Sequence, residues 1–351
     1  MKKSLIALAV LASTGAMAQS SVTLYGIVDI ALQTAKEDGS PRQNSMESGG
    51  VNGSRFGLKG SEDLGGGLKA LFVLENGFKA DTGAIGGGAG LNGLAGTSKP
   101  ATAMFGRKAY VGLAGGFGEV RLGNVPTAYD DTAINANSLF DSNYAPAYLV
   151  WAGGHNYNGT PGNSVYYASP SFGGVTVAAS YALGENKTAT TNAKGLGAVN
   201  VQYSGGPIYA SVAFQQDETA KPGVGALPAI GSAAAAYKDT LVNFSYDLGV
   251  VKLLSSYNRQ VSVDNTKSDQ FQLGADLPLG TALTLSGGYA YSKDKLNGVA
   301  TEKRSGFGIG AKYALSKRTF VYTAATYAEQ KPTGGTKVKG DVYAVGIQHS
   351  F

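Results

Sequence analysis

The chain has 351 residues, of which 52 are Gly and none is Cys, with 43% apolar and only 15% charged residues. Average soluble domains hold about 7% Gly and about 25% charged residues, so this chain is unusually glycine-rich and charge-poor, yet too apolar for a disordered polymer. The lack of Cys excludes disulfide scaffolds, thiolate zinc sites and cysteine nucleophiles.

The N-terminal segment is typical of a secretory signal peptide. Lys2 and Lys3 precede an apolar run over 5–11, and residues 16–18 (Ala-Met-Ala) form a small-x-small cleavage site. We therefore expect cleavage after residue 18, which leaves one mature domain over 19–351. Removal of the two lysines lowers the formal charge from +5 to +3, a value too small for such a long chain to indicate nucleic-acid binding.

From Ser21 onward, apolar and polar residues alternate in short segments. In the first segment, Val22, Leu24 and Val28 share one face and Thr23 and Asp29 the other, the period of a half-buried strand. The same alternation recurs at 54–60, 119–123, 199–203, 269–277 and 341–351. Past the signal peptide, the sequence contains no convincing amphipathic helix and no apolar run of about 18 residues that would cross a membrane as a helix.

The connections between these segments alternate in length. Short turns fall near 62–67, 114–118, 170–174, 205–207, 247–249, 278–280 and 316–318. Longer polar or Gly-rich stretches fall near 33–53, 79–102, 124–163, 184–196, 216–236, 258–269, 292–303 and 328–338. Seven short and eight long connections predict sixteen strands. An even number of antiparallel strands, with short turns at one rim and long loops at the other, is typical of an outer-membrane barrel.

Strand geometry supports the same interpretation. Ten residues at about 3.3 Å each, tilted by about 45°, span about 24 Å, close to the apolar band of about 25 Å in such barrels. Lipid cannot satisfy an open sheet edge, so the strands must close on themselves. Because sixteen strands leave an aqueous channel, the polar face faces water inside and the apolar face faces lipid. The sequence predicts an all-β, 16-stranded antiparallel transmembrane barrel, multi-pass in the bacterial outer membrane.

Tyrosines near strand ends on the apolar face have two interpretations. Their amphipathic rings suit the headgroup boundary of a membrane, whereas aromatic residues are also favoured in strands generally. These tyrosines are Tyr167, Tyr181, Tyr203, Tyr257, Tyr289, Tyr291, Tyr313 and Tyr343.

The chain resembles the trimeric general porins of Gram-negative outer membranes in six stretches taken together. These stretches are 21–32, 54–78, 105–123, 163–174, 314–322 and 342–351. The resemblance covers essentially the whole mature chain. It implies a homotrimeric, water-filled pore for passive diffusion of small hydrophilic solutes and ions, with neither catalysis nor a cofactor. It also implies that Phe351 is the C-terminal aromatic residue read by the outer-membrane assembly machinery.

In this family the third long loop folds into the barrel and narrows the pore. Here that loop spans roughly 124–163, the longest connection, and its acidic residues are Asp130, Asp131 and Asp141. Strand parity and the resemblance together place basic residues on the facing wall. These expected wall residues are Arg55, Lys59, Lys69 and Arg121, with Glu75 nearby.

Cations on the wall and anions on the loop create a transverse field at the narrowest point, and rings of charge set ion preference. We therefore expect a mild preference for anions. Arg107 and Lys108 are left out of this set, because their parity conflicts with that of Val111 and Leu113 unless a bulge intervenes.

Other chemical signals are weak. Glycines at 88, 90 and 93 spell a dinucleotide motif, but no βαβ unit surrounds them. The two histidines, His155 and His349, have no carboxylate cluster at metal-ligand spacing. An outer-membrane lipase would need a base next to its nucleophile, which no motif supplies. A substrate-specific channel and a plugged structural or adhesive barrel remain as alternatives.

Overall fold

The computed structural model describes residues 21–86, 103–133, 135–151, 157–185, 187–190, 192–218, 236–262 and 265–351. The predicted signal peptide, the glycine motif at 88–93 and His155 lie outside these ranges, so the signal peptide stays a prediction. Within the described ranges, no helix combines the length and apolar character that a membrane span requires.

Eighteen strands in one sheet account for most of the described residues. Their bounds are β1 Ser21–Glu37, β2 Gln43–Ser48, β3 Arg55–Gly65, β4 Leu68–Phe78, β5 Ile85–Gly86, β6 Lys108–Gly115, β7 Gly118–Asn124, β8 Ser164–Ala168, β9 Val175–Ala182, β10 Leu196–Gly205, β11 Ile208–Asp217, β12 Ala236–Asp247, β13 Lys252–Ser262, β14 Lys267–Leu279, β15 Leu283–Leu296, β16 Val299–Ala314, β17 Thr319–Pro332 and β18 Val338–Ser350. A 3-10 turn at Leu139–Asp141 and a short helix α1 at Pro146–Val150 lie between β7 and β8.

The sheet is a closed barrel. β1 pairs antiparallel with β18, from Ile27 opposite Ser350 to Glu37 opposite Gly340. β2 and β3 lie one after the other along β1, and β5 and β6 lie one after the other along β4. The eighteen strands therefore fill sixteen positions around the barrel, which confirms the predicted strand number and the antiparallel order.

The two faces of the barrel are inverted relative to a soluble protein. On β1, Val22 and Leu24 point outward and are 64% and 60% exposed, whereas Asp29 points inward and is fully buried. Inward positions on later strands carry Asn200, Asn258 and many other buried polar residues. All of the predicted girdle tyrosines except Tyr291 lie among the exposed large side chains.

The strands extend further than the sequence pattern predicted. Polar stretches at 258–269, 292–303 and 328–338, expected to be long loops, are mostly strand. β15 and β16 join through Asn297 and Gly298 alone, both at positive φ, as a tight hairpin turn requires. Beyond the lipid the outer face also meets water, so these strands need no apolar alternation. On the inner face the buried Arg304 pairs with Asp294 at 2.9 Å and with Glu302 at 2.5 Å.

Candidate functional site: the channel constriction

The described residues of the third loop, 125–133, 135–151 and 157–163, fold into the barrel as predicted. Their apolar side chains are buried against the inner wall, with Val125, Leu139 and Val150 completely inaccessible and Trp151 nearly so. The alanines of the wall at this level, such as Ala198 and Ala213, are small enough to let the loop lie close. The Trp151 indole N–H donates to the Phe271 carbonyl at 3.3 Å.

Polar side chains of the wall hold the loop backbone at several points between Ala128 and Tyr144. Buried backbone groups need such partners, because water cannot reach them. The path begins at β9, where the Ser180 hydroxyl accepts from the Ala128 N–H at 3.0 Å. The bonds that follow are Asn200 Nδ2 to Ala128 O, Asn243 Nδ2 to Thr132 O, Gln272 Nε2 to Ala136 O, Leu139 N to Ser286 Oγ, and Thr326 Oγ1 to Tyr144 O. The loop thus follows the wall from β9 to β17 and faces the wall formed by β3, β4, β6 and β7.

A second inward segment, residues 49–54 between β2 and β3, supports the far end of the loop. The fully buried Asp29 carboxylate accepts the N–H groups of residues 50–52 at distances between 2.9 and 3.1 Å and the Tyr322 hydroxyl at 2.6 Å. The Gly50 carbonyl in turn accepts the Asn143 N–H of the third loop at 3.0 Å. Asp29 therefore holds the segment 49–54 in the conformation that supports the third loop.

Three of the predicted basic residues lie on the facing wall. Arg55 and Lys59 belong to β3, and the Lys59 ammonium lies 5.2 Å from the centre of the Tyr25 ring. Arg121 on β7 lies 4.6 Å from the centre of the Tyr166 ring and bonds Glu119 at 2.5 Å. A guanidinium over an aromatic face is held by attraction to the ring quadrupole.

Lys69 belongs to β4 of the same wall but lies at the turn end of that strand. It is next to the β3–β4 turn, opposite Asp63, six residues along β4 from Glu75 and therefore about 20 Å away along the strand. In the described part of the chain, no hydrogen bond or ion pair joins Lys69 to the loop.

Arg107 and Lys108, which sequence reasoning left out, belong to this wall. Arg107 Nε bonds Glu75 Oε1 at 2.7 Å, and the Tyr25 hydroxyl donates to the other oxygen of the same carboxylate at 2.8 Å. Arg107 precedes the first residue of β6, so strand alternation does not govern its direction. Lys108 has the parity of the inward Tyr110, and that parity was the signal available in the sequence.

Of two acidic residues of the loop, Asp131 meets the wall through Tyr166, whereas Asp130 bonds to Tyr157 of the loop itself. Asp131 Oδ2 accepts the Tyr166 hydroxyl at 2.6 Å, so the ring that carries Arg121 also holds the loop. Asp130 accepts the Tyr157 hydroxyl at 2.7 Å. Burial raises the pKa of Asp131 to about 6, and the charge of Asp130 adds to this effect, while the Tyr166 bond and Arg121 oppose it.

Burial is also the main cause of the raised pKa of Asp130, opposed by its Tyr157 bond and by the charges of Arg107 and Lys108. The third predicted acid, Asp141, lies in the 3-10 turn and accepts from Asn137 Nδ2 at 2.8 Å. Burial raises its pKa well above the ordinary range. Among the described residues, no basic side chain forms an ion pair with Asp141.

Phe351 lies where the barrel closes. Its N–H donates to the Gly26 carbonyl and its carbonyl accepts the Gly26 N–H, both at 3.0 Å. The C-terminal residue is therefore paired to the first strand, and its side chain is partly exposed on the outer surface.

A closed antiparallel barrel with a lipid-facing exterior, a polar lumen and an inserted third loop defines an outer-membrane channel. The chain belongs to the Gram-negative porin family, which its residues 4–333 match. It is an outer-membrane porin, a channel for passive diffusion of small hydrophilic solutes and ions.

Individual relatives agree over the whole length. The chain is 36% identical to outer membrane porin protein 32 of Delftia acidovorans, covering 99% of this chain and 95% of that protein. It is 31% identical to major outer membrane protein P.IB of Neisseria meningitidis serogroup B, covering all of both chains. Among solved structures, the anion-selective porin from Comamonas acidovorans superposes with a TM-score of 0.74 at 27% identity, covering 95% of this chain and 100% of that one.

Proposed function

We propose that this pore passes small hydrophilic solutes with a mild preference for anions. The observation that carries the proposal is the charge of the wall facing the third loop. Within the described part of the chain, the acidic side chains that bond to basic residues of that wall are Glu75 and Glu119. Apart from Lys69 at its turn end, the described basic side chains of that wall are Arg55, Lys59, Arg107, Lys108 and Arg121. The similarity to a porin described as anion-selective supports the same direction.

The proposal is tested by the reversal potential of the purified protein in a planar lipid bilayer under a KCl gradient. K⁺ and Cl⁻ have similar mobilities, so the sign of the potential reports the preference of the pore. We expect the sign of a chloride-preferring channel. A potential with the sign of K⁺ selectivity would overturn the proposal.

We expect the anion preference to increase as pH falls from about 8 to about 5, across the pKa of Asp131 near 6. Below that pKa the carboxyl group is neutral, so the loop loses a negative charge while Arg121 and Lys108 keep their positive charges. Reversal potentials measured across this range check the expectation. Asp131→Asn should already be more anion-preferring at pH 8 and should respond less to acid. An unchanged pH response in Asp131→Asn would assign the titration to another group.

The functional unit that we propose is a homotrimer, assembled by machinery that recognises the C-terminal strand ending in Phe351. One structure similar in fold, OmpT of Vibrio cholerae, is described in a trimer form. The proposal involves neither catalysis nor a cofactor. Migration of unboiled protein on a gel tests the trimer, and a band of monomer size for a conducting preparation would contradict it.

A further inference from the structure

Five glycines on the inner faces of three adjacent strands lie directly beneath the innermost part of the third loop. Gly274, Gly288 and Gly308 form a row, paired in register across β14, β15 and β16. Gly306 and Gly310 flank this row on β16. We call these five residues the glycine seat. None of them has positive φ, so the backbone conformation does not require glycine at these positions.

The requirement for glycine is space. A Cβ atom added to Gly274 or to Gly288 would lie 2.5 Å from Ser138 Cβ of the loop. A Cβ atom on Gly306 would lie 2.8 Å from Val150 Cγ2 of the loop helix and 2.7 Å from the Tyr327 carbonyl oxygen of β17. Distances this short do not occur between real carbon atoms, so the loop would have to move. By contrast, Gly287 on the outer face of the same strand has its nearest neighbours at 3.7 Å.

The loop segment over the seat has a conformation that depends on its surroundings. Leu139, Phe140 and Asp141 have φ values of 50°, 60° and 55°, in the left-handed region that residues with a Cβ rarely adopt. Such backbone persists where the surrounding structure holds it. Here the Leu139 N–H donates to the Ser286 hydroxyl at 2.8 Å, and the Leu139 side chain is fully buried. The glycine seat and the neighbouring Ser286 thus hold the loop against β14–β16.

We infer that the glycine seat sets the free cross-section of the pore. The seat allows the loop to lie flat on the wall opposite the basic residues. A side chain added to the seat would displace the loop toward the basic wall and narrow the passage between them. Gly274, Gly288 and Gly306 are therefore positioning residues that act on solute size through the loop, without contacting the solute.

The test compares Gly288→Ala and Gly288→Val with the same changes at Gly287. We expect Gly288→Val to lower single-channel conductance by about twofold or more, because a pore narrowed at its constriction passes fewer ions. Gly288→Ala should have a smaller effect in the same direction. In liposome-swelling assays with neutral sugars of increasing size, the exclusion limit should fall. The Gly287 variants should match the wild type in both assays.

A second-site change separates contact with the loop from general damage to the barrel. Ser138→Gly removes the atoms that collide with a Cβ at position 288, so Ser138→Gly/Gly288→Ala should recover most of the lost conductance. Such non-additivity is expected for residues that are in contact or otherwise coupled, and not for distant independent sites. Circular dichroism and unboiled gel mobility identify the folded variants. If Gly288→Val does not fold, the comparison of Gly288→Ala with Ser138→Gly/Gly288→Ala still tests the inference. Wild-type conductance in folded Gly288→Val, or no recovery in the double variant, would overturn the inference.

Discussion

Replacing Arg55 and Lys108 together by Glu should invert the ion preference of the pore. Neither side chain forms an ion pair within the described part of the chain, and both lie within electrostatic reach of Glu75. We therefore expect both charges to act on ions in the lumen. A unit charge about 4 Å from a passing ion changes its energy by about 1 kcal/mol in bulk water, and salt screening reduces this. Each substitution changes the charge of the wall by two units, from +1 to −1. We therefore expect the ratio of chloride to potassium permeability to fall on the order of tenfold. The reversal potential under a KCl gradient should change sign.

A matched control carries the same change of charge at other positions. Lys69 lies next to the β3–β4 turn and Lys317 lies in the turn between β16 and β17, so Lys69→Glu/Lys317→Glu should move the reversal potential only slightly. If this control shifted the potential as much as Arg55→Glu/Lys108→Glu, selectivity would follow total charge and the wall assignment would be wrong. Single-channel conductance recorded alongside confirms that both variants form pores.

Replacing Asp29 by Ala should strongly destabilise the barrel at its closure. The change leaves the N–H groups of residues 50–52 and the Tyr322 hydroxyl without their shared acceptor. Each buried donor left unsatisfied costs about 1–3 kcal/mol, although water entering the space offsets part of that sum. We expect the free energy of unfolding to fall by about 3–5 kcal/mol, as for a buried charge network that loses one partner. Urea unfolding of the protein in detergent, followed by tryptophan fluorescence, measures the change.

The control for this experiment is Asp247→Ala. Asp247 also accepts a backbone N–H, that of Gly249 at 2.8 Å, but in an exposed turn, where water can replace the lost bond. We expect a loss of less than about 1 kcal/mol. Asp29→Asn keeps one side-chain oxygen as acceptor and should fall between the two alanine variants. Equal stability of Asp29→Ala and Asp247→Ala would contradict the anchoring role of Asp29.

Local patterns in the sequence were sufficient for the architecture. A strand in a membrane barrel has one face toward lipid and the other toward water. Apolar and polar residues therefore alternate along the chain at each membrane crossing. Short turns and long connections then specify the strand number, and the longest connection corresponds to the inserted loop. Apolar alternation does not predict strands at 292–303. There the strands continue beyond the lipid, so the alternation disappears although the backbone pairing continues.

Only the tertiary structure decided which charges meet. Arg107 precedes β6, so alternation could not give its direction, and Lys69 has a suitable parity at the wrong end of β4. The partners of Asp29 at 50–52 and the contact of Gly288 with Ser138 join residues distant along the chain. Local periodicity carries no information about such pairs, because they depend on strand register and on where the loop lies. Periodicity along the chain therefore determines the barrel, whereas packing between distant segments determines the constriction.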